Sequence, residues 1–143
     1  MKIEKLMKTE LITLAMDSTL SKAKEVFESH KVHHLLVIDD GGLLAGVITD
    51  RDLYKHLSPT VSTRQETHRD TALKLKKVHQ IMSRNLVTAS SEQSLNEAVV
   101  LFHDDHISCL PVIDNQNKPI GIITWRDIIK VLALQYKKKL AAN

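Results

Sequence analysis

Apolar residues recur at spacings of three and four through Leu20, Ala23, Val26 and Phe27, which is the pattern of one buried helix face. Two runs rich in Val and Ile follow at 35–38 and 45–49 and read as buried strands. The Asp-Asp-Gly-Gly stretch between them supplies a turn. Another helix begins near Arg51, with Leu53 and Leu57 on its apolar side. The same order then returns. Leu95, Ala98, Leu101 and Phe102 mark a helix face, 110–113 and 120–124 a strand pair joined by Asp-Asn-Gln-Asn-Lys-Pro, and Ile128, Ile129 and Leu132 a closing helix from about Arg126. A short extended piece precedes each first helix, at 11–13 and 86–88, and Ser18 or Thr19 and Ser94 are the expected N-caps.

Residues 3–57 lie over 78–132 without a gap. Met7 falls on Met82, Leu20 on Leu95 and Phe27 on Phe102, while Leu35, Val37, Ile38 and Asp39 fall on Leu110, Val112, Ile113 and Asp114. Gly46, Ile48, Thr49, Arg51 and Asp52 fall on Gly121, Ile123, Thr124, Arg126 and Asp127. An ungapped internal match of this extent marks a duplicated supersecondary unit. The expected organisation is a first motif over 1–57, a linker over 58–77, a second motif over 78–134 and a basic tail over 135–143. Each motif reads β-α-β-β-α, so the fold class is α/β (α+β). A motif this small, with three strands at most, is marginal alone. The two are therefore expected to pack sheet to sheet about a pseudo-twofold axis, with a cleft for a small ligand on each side where they meet. The long connection reads as a plain linker, with 70–77 as a helix leading into the second motif.

Composition narrows the chemistry. A chain of 143 residues that is 43% hydrophobic can bury its own core. The single cysteine, Cys109, excludes an intramolecular disulfide and lies in an apolar run, which points to a reducing, cytoplasmic setting. The apolar stretch 11–16 is too short for a signal sequence or a membrane span. Twenty basic residues against seventeen acidic give a net charge of only +3, and the run Lys137-Lys138-Lys139 reads as a solvated helix end. With aromatics at 3%, the stacking platforms of single-strand binders are missing, and nucleic acid is not an expected partner.

The candidate chemistry concentrates in Gly46-Val47-Ile48-Thr49-Asp50-Arg51-Asp52 and Gly121-Ile122-Ile123-Thr124-Trp125-Arg126-Asp127. In each, a strand ends at the threonine and a helix begins about two residues later, so the hydroxyl and the first free helix amides face one point and suit a phosphate. Asp52 or Asp127 can accept two hydrogen bonds from vicinal ribose hydroxyls. Arg51 and Arg126 offer forked donors to phosphate. A plainer reading has Thr49 and Thr124 only capping their helices, with surface Arg–Asp pairs worth less than about 1 kcal/mol.

Together with Leu6-Met7, Ile81-Met82 and Leu110-Pro111-Val112-Ile113-Asp114, these segments resemble the signature of the CBS (cystathionine beta-synthase) domain family, over nearly the whole chain apart from linker and tail. The resemblance implies a CBS pair that binds an adenosine-containing ligand and regulates a separate effector. It implies the same roles for Thr and Asp, with adenine against backbone and apolar side chains near the first strand and the strand entry. Carried over by position, the first copy offers Ile12, Thr13, His34, Leu35, Leu36, Thr49, Arg51 and Asp52. The second offers Val87, Thr88, Cys109, Leu110, Pro111, Thr124, Arg126 and Asp127. Pro111 stands where the family often has proline, whereas the first copy has Leu36 after His33 and His34, so the two clefts are expected to be unequal. AMP, ADP, ATP, S-adenosylmethionine and dinucleotides all share adenosine, and the sequence does not choose among them. The resemblance also implies a homodimer formed through the helices.

Other functions find less footing. His30, His33 and His34, and His103 with His106, invite a metal site, but no His-Glu-x-x-His run accompanies them and no metal is expected. There is no Gly-x-Ser-x-Gly turn and no glycine-rich phosphate loop among only four glycines. A mid-strand cysteine among apolar residues is usually inert, so no catalytic residue or catalytic cofactor is expected. The rival class is a dimerising interaction module with vestigial ligand sites, docking a partner through the linker or the basic tail.

Overall fold

The two halves of the sequence repeat build the same local devices at equivalent positions. The structure is a computed structural model that describes residues 1–142. Strand β1 (Thr13–Ala15) leads to α1 (Leu20–His30), which Thr19 caps by accepting the Lys22 N–H at 3.1 Å. Strands β2 (His34–Ile38) and β3 (Leu44–Thr49) and the short helix α2 (Asp50–His56) follow. Helix α3 (His68–Lys74) stands in the connecting stretch. The second copy has α4 (Leu95–Asp104), capped by Ser94 in a reciprocal box with Glu97, then β4 (Cys109–Ile113), β5 (Pro119–Thr124) and α5 (Trp125–Ala141). The lysines of the expected tail thus lie in the last turns of α5.

Even the irregular positions match. Lys31 and His106, at the ends of α1 and α4, both take left-handed backbone. In the strand turns, Asp39 and Asp114 each accept two backbone N–H groups on Oδ1, the self-bonding that makes Asp a turn residue. Two residues before the next strand in the first turn, Gly42 has φ 80°; its counterpart Asn117 has φ 65°, a conformation Asn tolerates better than most side chains.

The chain folds as two compact units that cut across the repeats: Ile12–Leu86 forms the first, and Met1–Leu11 with the chain from Val87 onward forms the second. In the first unit, the arm that opens the second repeat returns to the first copy, with Val78 N–H on Ser18 O at 2.8 Å and Ser83 N–H on Val47 O at 2.9 Å. In the second unit, the N-terminal arm does the same for the second copy, with Ile3 N–H on Gln93 O and Lys8 N–H on Ile122 O, both at 2.9 Å. The close approach explains two glycines. A Cβ on Gly46 would fall on the thioether of Met82, and one on Gly121 on that of Met7.

Each unit has its own apolar cluster. The first is built around Leu20, Leu35, Val37, Ile48, Leu53 and Val78, all fully buried. The second is built around Ile3, Leu110, Val112 and Ile123. The sheets differ. In the first unit β1 runs parallel to β2, which pairs antiparallel with β3. In the second, β4 and β5 form a two-stranded sheet, and the expected strand at 86–88 is reduced to a single parallel bridge from Ala89 to Val112. Thr13 of β1 sits opposite Leu36; the counterpart of Leu36 is Pro111, which has no N–H to give to a ladder.

The stretch 58–77 folds onto the first unit. Val61 is buried and Leu73 packs against the core. Thr67 and Asp70 cap α3 reciprocally, and Asp70, 3% exposed, also accepts the Thr60 hydroxyl. The helix ends at Lys74, before the second repeat begins, because Val78 starts a separate single turn of 3-10 helix.

Candidate ligand-binding site

In the first unit, β3 carries Thr49 to the sheet end opposite His34 of β2. Thr49 caps α2, its hydroxyl accepting the Asp52 N–H at 3.0 Å. The half-buried Asp52 carboxylate has no hydrogen-bond or ion-pair partner among the described residues. Asp50 is held by its neighbours: Oδ2 lies 2.7 Å from His33 Nδ1, and Oδ1 accepts the Arg51 N–H at 2.8 Å. The Arg51 side chain is exposed.

In the second unit, β5 sets Thr124 opposite Cys109 of β4. Thr124 caps α5, and here the aspartate answers: Asp127 Oδ2 accepts the Thr124 N–H at 2.8 Å and its hydroxyl at 3.1 Å. The other oxygen, Oδ1, faces Lys8 Nζ at 3.6 Å, with the Asp127 side chain 13% exposed and Lys8 64% exposed. Trp125 replaces Asp50, and the Arg126 guanidinium lies 5.8 Å from its ring centroid, within cation–π range.

The remaining candidates form walls. Leu35, Leu36, Leu110 and Pro111 are fully buried, so they contribute shape and backbone rather than charge. Thr13 lies beside Leu36 in the sheet, and Ile12 packs on the first core. Val87 packs on the second core, with Thr88 half-buried next to it. Cys109 is buried, and its thiol is pushed up to about 12 by loss of solvent, so at neutral pH it is a protonated wall residue without nucleophilic character. Of the histidines, His33 is engaged by Asp50 and His30 Nδ1 lies 3.2 Å from the Val26 carbonyl. No three His, Cys, Asp or Glu side chains gather to hold a metal among the described residues.

Sequence reasoning gave no role to Lys8, to the pairing of His33 with Asp50, or to Trp125. The last two had a signal: Asp50 and Trp125 occupy the same repeat position with opposite chemistry. Lys8 had none, since its approach to Asp127 spans nearly the whole chain.

Comparison with known proteins agrees with this architecture. The CBS domain profile matches residues 3–59 and 78–134. A CBS domain-containing protein of Dictyostelium discoideum is 33% identical over 130 residues, covering 91% of this chain and 90% of that protein. The inosine-5'-monophosphate dehydrogenase of Methanocaldococcus jannaschii is 33% identical over 121 residues, covering 85% of this chain but 21% of the enzyme; the chain spans about a fifth of that relative. Among solved structures, a CBS domain pair in complex with 5'-methylthioadenosine and S-adenosyl-L-methionine superposes with a TM-score of 0.79 at 24% identity, covering 94% of this chain and 98% of the other. CBSX2 in complex with AMP superposes with a TM-score of 0.76 at 26% identity, covering 95% and 98%. No helix among the described residues is long and apolar enough to cross a membrane.

Proposed function

Because this chain belongs to the CBS domain family, we propose that it is a regulatory module that binds an adenosine-containing ligand at its Thr–Asp turns and signals to a separate effector. The observation that carries this reading is the duplicated turn. Each copy ends a strand on a threonine and places an aspartate in the next helical turn, with carboxylate oxygen available: both oxygens of Asp52, and Oδ1 of Asp127, which only the loose 3.6 Å ion pair to Lys8 engages. Acceptors of that kind, beside buried apolar walls, suit the vicinal hydroxyls of a ribose, with a base against Leu35 and Leu36 in the first unit or against Leu110 and Pro111 in the second. The AMP bound by CBSX2 supports the ligand class. Ligand binding then acts by population shift, favouring the conformational state that holds it best. In this reading there is no catalytic step and no catalytic cofactor, and the buried thiol of Cys109 fits a reducing, cytoplasmic setting.

The test is a thermal-shift screen against AMP, ADP, ATP and S-adenosylmethionine, with Asp52→Ala and Asp127→Ala alongside. A ligand at a hundred times its dissociation constant adds about 2.7 kcal/mol, a rise of several degrees for a chain of this size. A rise with an adenosine ligand that one Asp variant abolishes supports the sensor. No rise with any of them refutes it.

A second reading has an observation of its own. Trp125, Ile129, Leu132, Tyr136 and Leu140 follow one another along α5 at helical spacing and are all 44–63% exposed. Such a stripe suits protein contact, as expected of a homodimer or of an effector-docking face, with the ligand sites vestigial. A chain that binds no adenosine ligand yet elutes as a dimer would favour it.

A further inference from the structure

The two turns differ in charge. The second turn carries one carboxylate, Asp127, with Lys8 Nζ 3.6 Å from it, and one arginine, Arg126, set against the Trp125 ring. The first turn carries one arginine, Arg51, and two carboxylates, Asp50 and Asp52, with Asp50 Oδ2 against His33 Nδ1. The arms explain the difference. Lys8 and Ser83 hold equivalent places, Lys8 bridging to Ile122 at the edge of β5 and Ser83 bridging to Val47 of β3. A lysine thus reaches the second turn where the first has only a serine.

We infer that Lys8 makes the Asp127 turn selective for a phosphate-bearing adenosine over an uncharged one. This rests on the sensor reading above. Oδ2 of Asp127 is occupied by Thr124, so ribose hydroxyls approach Oδ1, the oxygen that faces Lys8. At 3.6 Å, with the lysine 64% exposed, the ion pair is loose and worth little by itself. The long flexible stem lets Nζ swing away from Oδ1 without moving the backbone, which stays pinned by Lys8 N–H on Ile122 O and Ile122 N–H on Lys8 O. An ammonium so placed beside a ribose lies within reach of a 5'-phosphate and gives it a charge-assisted hydrogen bond, joined by Arg126. A nucleoside without phosphate offers nothing in return for the displaced ion pair.

Calorimetric titration of AMP and adenosine into the whole chain, and into its Lys8→Ser, Lys8→Arg and Asp127→Asn variants, tests the inference. The expected result is AMP at least about tenfold tighter than adenosine, the gain of one charge-assisted bond, with AMP binding abolished by Asp127→Asn. Lys8→Ser, which copies the first arm, should bring the AMP-to-adenosine ratio down toward one, the remainder being the share of Arg126, and Lys8→Arg should keep the preference. The inference is overturned if Lys8→Ser leaves the AMP-to-adenosine ratio unchanged, if it tightens AMP, or if AMP binding survives Asp127→Asn. Failure of the unmodified chain to bind either compound overturns the inference, and the sensor reading falls with it only if ADP, ATP and S-adenosylmethionine also fail to bind.

Discussion

The Asp52 and Asp127 turns carry the same Thr-x-Arg-Asp letters, yet only one aspartate is tied into its own helix. Asp127 accepts the N–H and hydroxyl of Thr124 and faces Lys8, whereas the Asp52 side chain meets no partner among the described residues. The difference teaches that a motif specifies where a carboxylate begins its turn and leaves its occupation to neighbours. The residue after the threonine is one such neighbour. Asp50 turns toward His33 and adds negative charge to the first turn; Trp125 gives the second an aromatic face for Arg126.

The comparison is sharpest in the cores beneath the turns. Leu53 of α2 is fully buried, and its counterpart Ile128 of α5 is 6% exposed. Leu53→Ala should destabilise the chain by about 2–5 kcal/mol. Ile128→Ala should fall toward the lower end of that range, because part of its site already opens to solvent. Urea denaturation of both variants measures the pair, and an Ile128→Ala cost above that of Leu53→Ala would break the ranking.

The turns themselves predict a smaller asymmetry without any ligand. Asp127→Ala removes half of a capping box and should cost about 0.5–2 kcal/mol. Asp52→Ala removes a side chain with no partner and should stay within about 0.5 kcal/mol. Equal melting shifts for the two would show that Asp52 has a bonding role in the free protein that this geometry lacks.

The smallest expected effect is an acid response of the first unit, which holds the carboxylates whose pKa is lowered. The Thr60 hydroxyl and the Thr67 N–H hold the Asp70 carboxyl below its ordinary value, and the Ser62 N–H with Lys74 does the same for Glu66. The folded state therefore binds protons less readily than the unfolded one, and stability is complete above the ordinary carboxylate range. It declines as pH falls below about 4. Asp70→Asn should flatten that decline, measured as melting temperature against pH; an unchanged profile would remove Asp70 from the account.

Much of this was legible in the letters. The ungapped repeat announced paired β-α-β-β-α motifs, and the Thr-x-Arg-Asp letters announced the strand-to-helix turns at Thr49 and Thr124. The helix faces, the strand pairs and the caps at Thr19 and Ser94 stand where periodicity and capping chemistry put them. What went unread has common causes. The strand at 86–88 looks like its partner at 11–13, and the missing donor that trims it sits more than twenty residues later, at Pro111. The stretch 58–77 looks polar and idle because its order comes from Asp70 being satisfied by Thr60 and Thr67, a network that no period reveals.

By itself the sequence determined the elements, their duplication and the identity of the side chains at each turn, since these depend on spacing and on bonds among residues a few positions apart. Only the tertiary structure decided which arm completes which unit, and so which aspartate has a lysine for a neighbour. Lys8 and Asp127 are joined by backbone pairing between distant segments, and that choice is made by burying Ile3 and Met7 against the second core, where the gain in apolar contact is realised only once the chain has folded back on itself.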